Sequence, residues 1–136
     1  MSTQGHKTYV CFGEPHCHLW ELQKAAENQG NLDWWTVNSA ARAGDEVVFS
    51  LIRPLSSFVA IGLVSSDPFI VNDRTSSWFG RQAAEIVGVR MLPRFVHISE
   101  ARELFPEWGF LRQPGQSTAL PDELVDRFLQ LLESGR

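Results

Sequence analysis

Basic charge is in short supply in this chain. Lys and Arg together number 12 against 16 Asp and Glu, a net charge of −4 at neutral pH. That excludes a histone-like or ribosomal-type protein that grips nucleic acid through bulk charge. A local basic patch remains compatible, because the acidic surplus falls mostly after residue 99. Cysteine is scarce as well, with only Cys11 and Cys17. The polar stretch 1–7 has no signal-peptide core, so these read as free thiols in a reducing cytosol and the expected location is cytoplasmic. No apolar run approaches the roughly 20 residues of a membrane-spanning helix, so no membrane partner is expected. Internal repeats, low-complexity tracts and Pro/Gly-rich linkers are also missing. A chain of 136 residues without them reads as one domain over 1–136, monomeric in isolation.

The parts of a catalytic centre are equally sparse. Gly13, Gly30, Gly44 and Gly62 are scattered singly, so nothing cradles a phosphate in the manner of a glycine-rich loop. Cys11, His16, Cys17 and His18 crowd together, but their spacing is not that of a zinc finger or ribbon and no second Cys pair follows. A Cys–His nucleophile lacks a recognisable third member or oxyanion loop. The expectation is a protein that is not an enzyme, with no metal and no cofactor.

What the chain does have is a pattern of short strands with a helix near each end. Residues 7–12, rich in β-branched and aromatic side chains, open as a strand. Leu19, Leu22, Ala25 and Ala26 recur at helical spacing and Gly30 ends that helix. Residues 34–37, 46–52 and 58–64 read as strands, the last two a hairpin turned at residues 54–57, with Gly62 marking a bulge or a close approach. Residues 85–92 form another strand, broken at Pro93, and 95–98 follow. Ser99 caps a short helix to Leu104. Pro121 starts the final helix, whose face is Leu124, Val125, Phe128, Leu129 and Leu132. No helix is long enough for a crossover between the middle strands, which argues for an α+β, bent antiparallel β-barrel with flanking helices.

Five Trp and nine Phe stand against a single Tyr, and indoles are costly to place. Trp34 and Trp35 are adjacent on a strand and so face opposite ways. Trp78 sits among polar residues, Arg74 to Ser77 before it and Gly80 to Gln82 after it. Indoles that sandwich a flat ring gain about 1–3 kcal/mol per stacked base, the physics of a pocket for an extruded nucleobase; core or rim packing is the alternative for each. Trp20 and Trp108 are assigned to packing. The irregular stretch 109–121, with Arg112, Gln113, Gln116, Ser117 and Thr118 between Phe110 and Leu120, offers donors for phosphates or a base edge; a packed connector to the last helix is its other reading.

Several motifs, in order, carry a resemblance. Tyr9-Val-Cys-Phe-Gly-Glu-Pro15 is similar to the opening strand of EVE domains. A tryptophan follows the first helix, Ala43-Gly-Asp-Glu-Val-Val-Phe49 resembles their Gly-Asp strand, and Ala60-Ile-Gly-Leu-Val-Ser-Ser-Asp-Pro68 the strand after it. Arg112-Gln-Pro-Gly-Gln116 with Leu120-Pro121 resembles the stretch before their final helix. The chain thus resembles the PUA-like superfamily, specifically EVE domains and the related YTH domains, from about Tyr9 to Leu132. Asn38-Ser-Ala-Ala41 departs from the usual EVE wording. The resemblance implies a reader of a modified base in DNA (5-methylcytosine, 5-hydroxymethylcytosine or N6-methyladenine), with modified RNA the alternative partner. It also implies the specificity module of a modification-dependent restriction system, with a nuclease or NTPase effector fused or partnered. Carried onto this chain, the aromatic cage is Trp34 or Trp35 with Trp78, together with Phe12. Glu14, Asn38 and Ser39 hydrogen-bond the base edge, and Arg74, Arg81, Arg112, Gln116 and Ser117 hold the backbone. A small-molecule or protein-interaction domain of the same fold is the remaining alternative.

Overall fold

A computed structural model describes residues 6–76, 78–112 and 118–134. Seven strands form one strongly curled sheet: β1 (Thr8–Gly13), β2 (Leu32–Thr36), β3 (Glu46–Leu51), β4 (Ser57–Val64), β5 (Phe69–Ile70), β6 (Gln82–His97) and β7 (Thr118–Ala119). Their order is β2-β6-β4-β3-β1-β7, with β5 also on β6. Three helices accompany the sheet: α1 (Pro15–Glu27), α2 (Ile98–Leu104) and α3 (Val125–Ser134), the last entered through a 3-10 turn Asp122–Leu124.

Both faces of the sheet are covered, which is why β1 and β3 read as nearly unbroken apolar runs. Alternation along each strand sends Tyr9, Cys11, Val47 and Phe49 to one core, where they meet Trp35, Ile86 and the inner side of α1 (Leu22, Ala25). Val10 and Val48 go to the other, with Phe58, Val96, Trp108 and α3. Phe128 of α3 is the centre of that second core. Phe58, Phe105 and Trp108 all meet its ring edge to face, at 5.0, 5.6 and 5.4 Å.

The sequence expectation of an all-antiparallel barrel needs correcting at one pair. β1 lies parallel to β3, Thr8 opposite Glu46 through Gly13 opposite Leu51. The crossover that a parallel pair requires is supplied by α1 and β2 together, which the sequence reading treated as separate pieces. Pro93 does not break its strand either, because β6 runs through it. Met91 pairs Ala60 and Val96 pairs Phe58, so the surplus residues on β6, Pro93 among them, bulge out where no ladder donor is needed. At α2 the cap is His97 rather than Ser99: Nδ1 of His97 accepts from the Ser99 N–H at 3.0 Å.

Two glycines are fixed by close approach. At Gly62 a Cβ would lie 2.8 Å from the Ile86 Cγ2 and 3.2 Å from Phe49. Gly30, at φ +82°, lets the chain leave α1. Its N–H bonds the Ala25 carbonyl at 2.7 Å, and its carbonyl accepts from Val89 of β6 at 2.9 Å. The other end of α1, at the C-terminal end of β1, is where the aromatic residues converge.

Candidate nucleic-acid interface

Proline at the first helical position starts α1 immediately after β1, so one turn of helix folds back beside Gly13. A Cβ on Gly13 would lie 2.7 Å from the Trp35 Cζ2 and 3.0 Å from the His18 Nδ1. Only a bare backbone fits between these two rings. Trp35 is fully buried, donates from Nε1 to the Phe12 carbonyl at 3.2 Å, and meets Phe49 edge to face at 5.0 Å. It is a core residue. Trp34, one position earlier on β2 where the pairing with β6 shifts register, packs at the edge of the same core. It is half-buried, with Nε1 donating to the Ser76 Oγ at 3.2 Å and its ring against the edge of Phe69.

The same Ser76 Oγ accepts from the Trp78 backbone N–H at 3.0 Å, so one hydroxyl ties the Trp34 indole to the Trp78 backbone in the turn before β6. Trp78 is 7% exposed despite its polar neighbours in sequence. Its indole stacks on the His18 imidazole, centroids 4.4 Å and planes 13° apart. Trp35 and Trp78 lie 5.3 Å apart at 52°. A ring sandwiched between parallel partners needs two spacings of about 3.5 Å, so these two indoles do not form a sandwich. His18 is held by the Glu14 N–H, which donates to Nδ1 at 2.8 Å. Burial lowers its pKa from the usual value, with the nearby Glu14 carboxylate pulling the other way and His16 adding to the lowering. Accepting at Nδ1 requires the neutral ring, with its proton on Nε2.

The other residues singled out from the sequence are distributed around this cluster. Phe12 points to the opposite side of β1, where its ring meets Phe110 at 5.9 Å. It contributes its carbonyl to Trp35 and not its ring, a consequence of strand alternation next to Cys11 and Gly13. Glu14 is exposed, its carboxylate 3.2 Å from the His16 Nε2. Asn38 turns the chain after β2 by accepting the Ala40 N–H on Oδ1 at 2.9 Å. The Ser39 carbonyl accepts from Arg42 at 2.9 Å. Arg81 lies over Trp78 at 6.0 Å and Arg74 over Phe79 at 5.8 Å, both exposed at the rim. Arg112 is exposed and lines a separate cavity. Gln116 and Ser117 lie outside the described residues.

Among the described residues, Glu14, His16 and Cys17 bring a carboxylate, an imidazole and a thiol within 4.8 Å of one another. They sit on the first turn of α1, where the positive end of the helix dipole opposes a cation.

Two concave surfaces adjoin the aromatic cluster. One, about 600 Å³, opens across the end of β1 and is lined by Phe12, Ser50, Ile52, Arg53, Ser56, His97, Ser99, Arg102 and Arg112. Among the described residues three guanidiniums and an imidazole line it, and no carboxylate does. Arg102 is braced by two bonds to the Leu111 carbonyl, 3.1 Å from Nε and 3.0 Å from Nη2. The two features share β1: Phe12 lines the cavity, and the Gly13 carbonyl accepts from the Ile52 N–H at 3.0 Å while its α-carbon faces Trp35 and His18. Arg53 and Arg102 escaped the sequence reading because they come from a hairpin turn and a short helix that nothing in the sequence joins to Arg112. The second surface is a groove of about 540 Å³ between α1 and Thr75, Ser76 and Trp78, lined also by Trp20, Glu21, Lys24, Asn28, Asn31 and Trp34. Trp20 is 64% exposed there, with the Lys24 ammonium 5.8 Å from its ring. Its assignment to packing is therefore corrected: it sits on the solvent side of α1, whereas Trp108 is buried.

Comparison with solved structures places this architecture. A hypothetical protein from Leishmania major superposes with a TM-score of 0.76 over 98% of each chain at 13% identity. Human THYN1, solved in complex with DNA containing 5-methylcytosine, matches with a TM-score of 0.65 over 93% of this chain and 98% of that one, at 16% identity. An ASCH protein from Zymomonas mobilis matches with a TM-score of 0.60 over 92% and 95%, at 12% identity. The fold is PUA-like. At these identities the likeness carries the fold and not the role of any residue. No protein-family model matches the chain, and no curated protein matches its sequence significantly. Within the PUA-like frame, the aromatic cluster and the arginine cavity meet at the end of β1. Among the described residues no helix is long and apolar enough to cross a membrane.

Proposed function

We propose that this PUA-like domain is a non-catalytic nucleic-acid reader that takes one modified base out of a DNA duplex. The base is read at Trp78 while the flanking phosphates lie in the arginine cavity. The observation that carries this is the adjacency of the two features across Phe12 and Gly13. An anion-lined strand needs positive charge, and Arg53, Arg102 and Arg112 supply it on a lining that, among the described residues, holds no carboxylate. An extruded base needs an aromatic face, and Trp78, joined to the cavity's strand through Trp35 and the Phe12 carbonyl, supplies one. THYN1, of the same fold, was solved with 5-methylcytosine DNA, which supports 5-methylcytosine as the first ligand to try.

The energetics are consistent with a selective and salt-sensitive binder. Extrusion costs a few kcal/mol, while stacking on one indole returns about 1–3 kcal/mol. The arginine–phosphate contacts must supply the rest, because a net charge of −4 gives little non-specific attraction. A methyl group on the base adds about 0.8 kcal/mol when buried. Sharper preference comes from a polar contact that the wrong base leaves unpaired. In a modification-dependent restriction system such a domain supplies specificity, with a nuclease or NTPase effector in the same chain or in a partner.

The test separates the two features. Duplexes differing by one modified cytosine are titrated at fixed salt with the parent protein, Trp78→Ala and the pair Arg53→Ala/Arg112→Ala. Trp78→Ala abolishes the preference for the modified duplex. The arginine pair weakens both duplexes alike and keeps the preference. Parent-like preference in Trp78→Ala, with the protein folded, overturns the reading.

A further inference from the structure

The face of Trp78 on which a base would stack is already covered. His18 is 3% exposed, lies face to face with the indole at 4.4 Å, and turns an edge to Trp35 at 5.1 Å. Its Nδ1 accepts the Glu14 N–H at 2.8 Å. This is a flat nitrogen heterocycle, stacked on an indole and hydrogen-bonded at its edge through an acceptor nitrogen. Those are the contacts a nucleobase would make in the same place. Trp35 and Trp78, tilted at 52°, leave no parallel slot elsewhere in the cluster.

We infer that His18 is a resident occupant of the base subsite, and that the base binds by taking the place of its imidazole on Trp78. This deepens the nucleic-acid reading above and rests on it. Displacement frees the Glu14 N–H, which then donates to an acceptor on the incoming ring. The ring must therefore bring an unprotonated nitrogen or a carbonyl oxygen to that edge, as cytosine does through N3 and O2. A ring without an acceptor leaves a buried donor unpaired and is rejected.

The location of His18 suits such an exchange. It stands in the first turn of α1, where the N-cap residue Glu14 makes no side-chain capping bond. Gly13, having no Cβ, adds no side chain of its own beside Nδ1; a Cβ there would lie 3.0 Å from Nδ1 and 3.1 Å from the His18 Cβ. His18 thus determines specificity by competition, since an incoming ring must exceed imidazole on the same face and at the same donor.

The experiment uses two substitutions that differ in whether a ring remains on Trp78. His18→Ala removes the competitor, with its ring contacts to Trp78 and Trp35 and its bond from Glu14, and tightens binding of the 5-methylcytosine duplex by about tenfold. His18→Phe keeps a ring on Trp78 but cannot accept from Glu14. The face stays filled, so this variant binds the same duplex less tightly than His18→Ala does. In parallel, millimolar imidazole raises the melting temperature of His18→Ala and leaves that of the parent unchanged, because only the variant has a vacant ring site. Should His18→Ala bind the duplex no tighter than a parent that still prefers the modified base, the inference is overturned and the nucleic-acid reading stands. If imidazole has no effect on a folded His18→Ala protein, the site is not a ring subsite and the inference is likewise overturned. Failure of the parent to prefer any modified duplex removes the reading and this inference together.

Discussion

Gly13→Ala is the smallest perturbation that probes the candidate site. The φ of Gly13 is not in the left-handed region, so the substitution adds no backbone strain and its whole effect is steric. The new Cβ meets the Trp35 Cζ2 at 2.7 Å, the His18 Nδ1 at 3.0 Å and the His18 Cβ at 3.1 Å. Trp35 has nowhere to go, being fully buried, packed on Phe49 and tied to the Phe12 carbonyl. His18 is confined by Trp78. Overpacking of this kind costs about 1–3 kcal/mol. In a domain of this size each kcal/mol lowers the melting temperature by about 4 °C. The expected result is therefore a loss of about 4–12 °C in thermal melting, with an unchanged denaturant m-value in urea. Combining Gly13→Ala with Trp35→Phe, which withdraws the atom in closest contact, costs less than the sum of the single changes. A Gly13→Ala protein within about 0.3 kcal/mol of the parent, below any reasonable overpacking cost, would refute the proposed proximity of β1, His18 and Trp35.

Three further outcomes are expected. Phe128→Ala removes the ring around which Phe58, Phe105 and Trp108 pack and costs about 3–5 kcal/mol in urea denaturation; a cost below 1 kcal/mol would contradict that core. The depressed pKa of His18 means that the unfolded chain takes up a proton at the ordinary histidine value while the folded chain does so only at lower pH. Stability is then full above pH 6.5 and falls as pH drops from there toward the folded pKa. Urea midpoints at pH 7.5 and 5.5 should show this loss in the parent and less of it in His18→Phe. Arg53→Ala/Arg112→Ala should lower the slope of log K against log salt by about 2, the value for two phosphate contacts on duplex DNA; an unchanged slope would remove the cavity from the interface.

The two sides of the sheet were readable from sequence because strand alternation is local. The adjacent pair Trp34-Trp35 was expected to split between faces; Trp35 is fully buried, and Trp34 is half-buried against the same core, where the pairing of β2 shifts register. Gly62 had to mark either a bulge or a close approach, and both are present. The β1–β3 parallel pairing was not readable, since it depends on α1 and β2 being a single crossover, which no local pattern encodes. The same limit applies to the site. Alternation places Phe12 opposite Cys11 and Gly13, but it does not say which side holds the tryptophans. The polar neighbours of Trp78 in sequence gave no sign that the indole is buried against His18, four residues beyond Glu14 on another element. Arg53, Arg102 and Arg112 converge from a hairpin turn, a helix and a 3-10 turn, so their shared cavity exists only in the folded chain.

The central claim is that this domain prefers a modified base in DNA, and a ratio tests it most directly. The dissociation constants of the parent protein for an unmodified duplex and for the same duplex with one 5-methylcytosine are measured by fluorescence anisotropy at one fixed salt concentration. Burial of the methyl group alone, at about 0.8 kcal/mol, predicts tighter binding of the modified duplex by about fourfold or more. Equal dissociation constants, across duplexes carrying 5-methylcytosine, 5-hydroxymethylcytosine and N6-methyladenine, would contradict it.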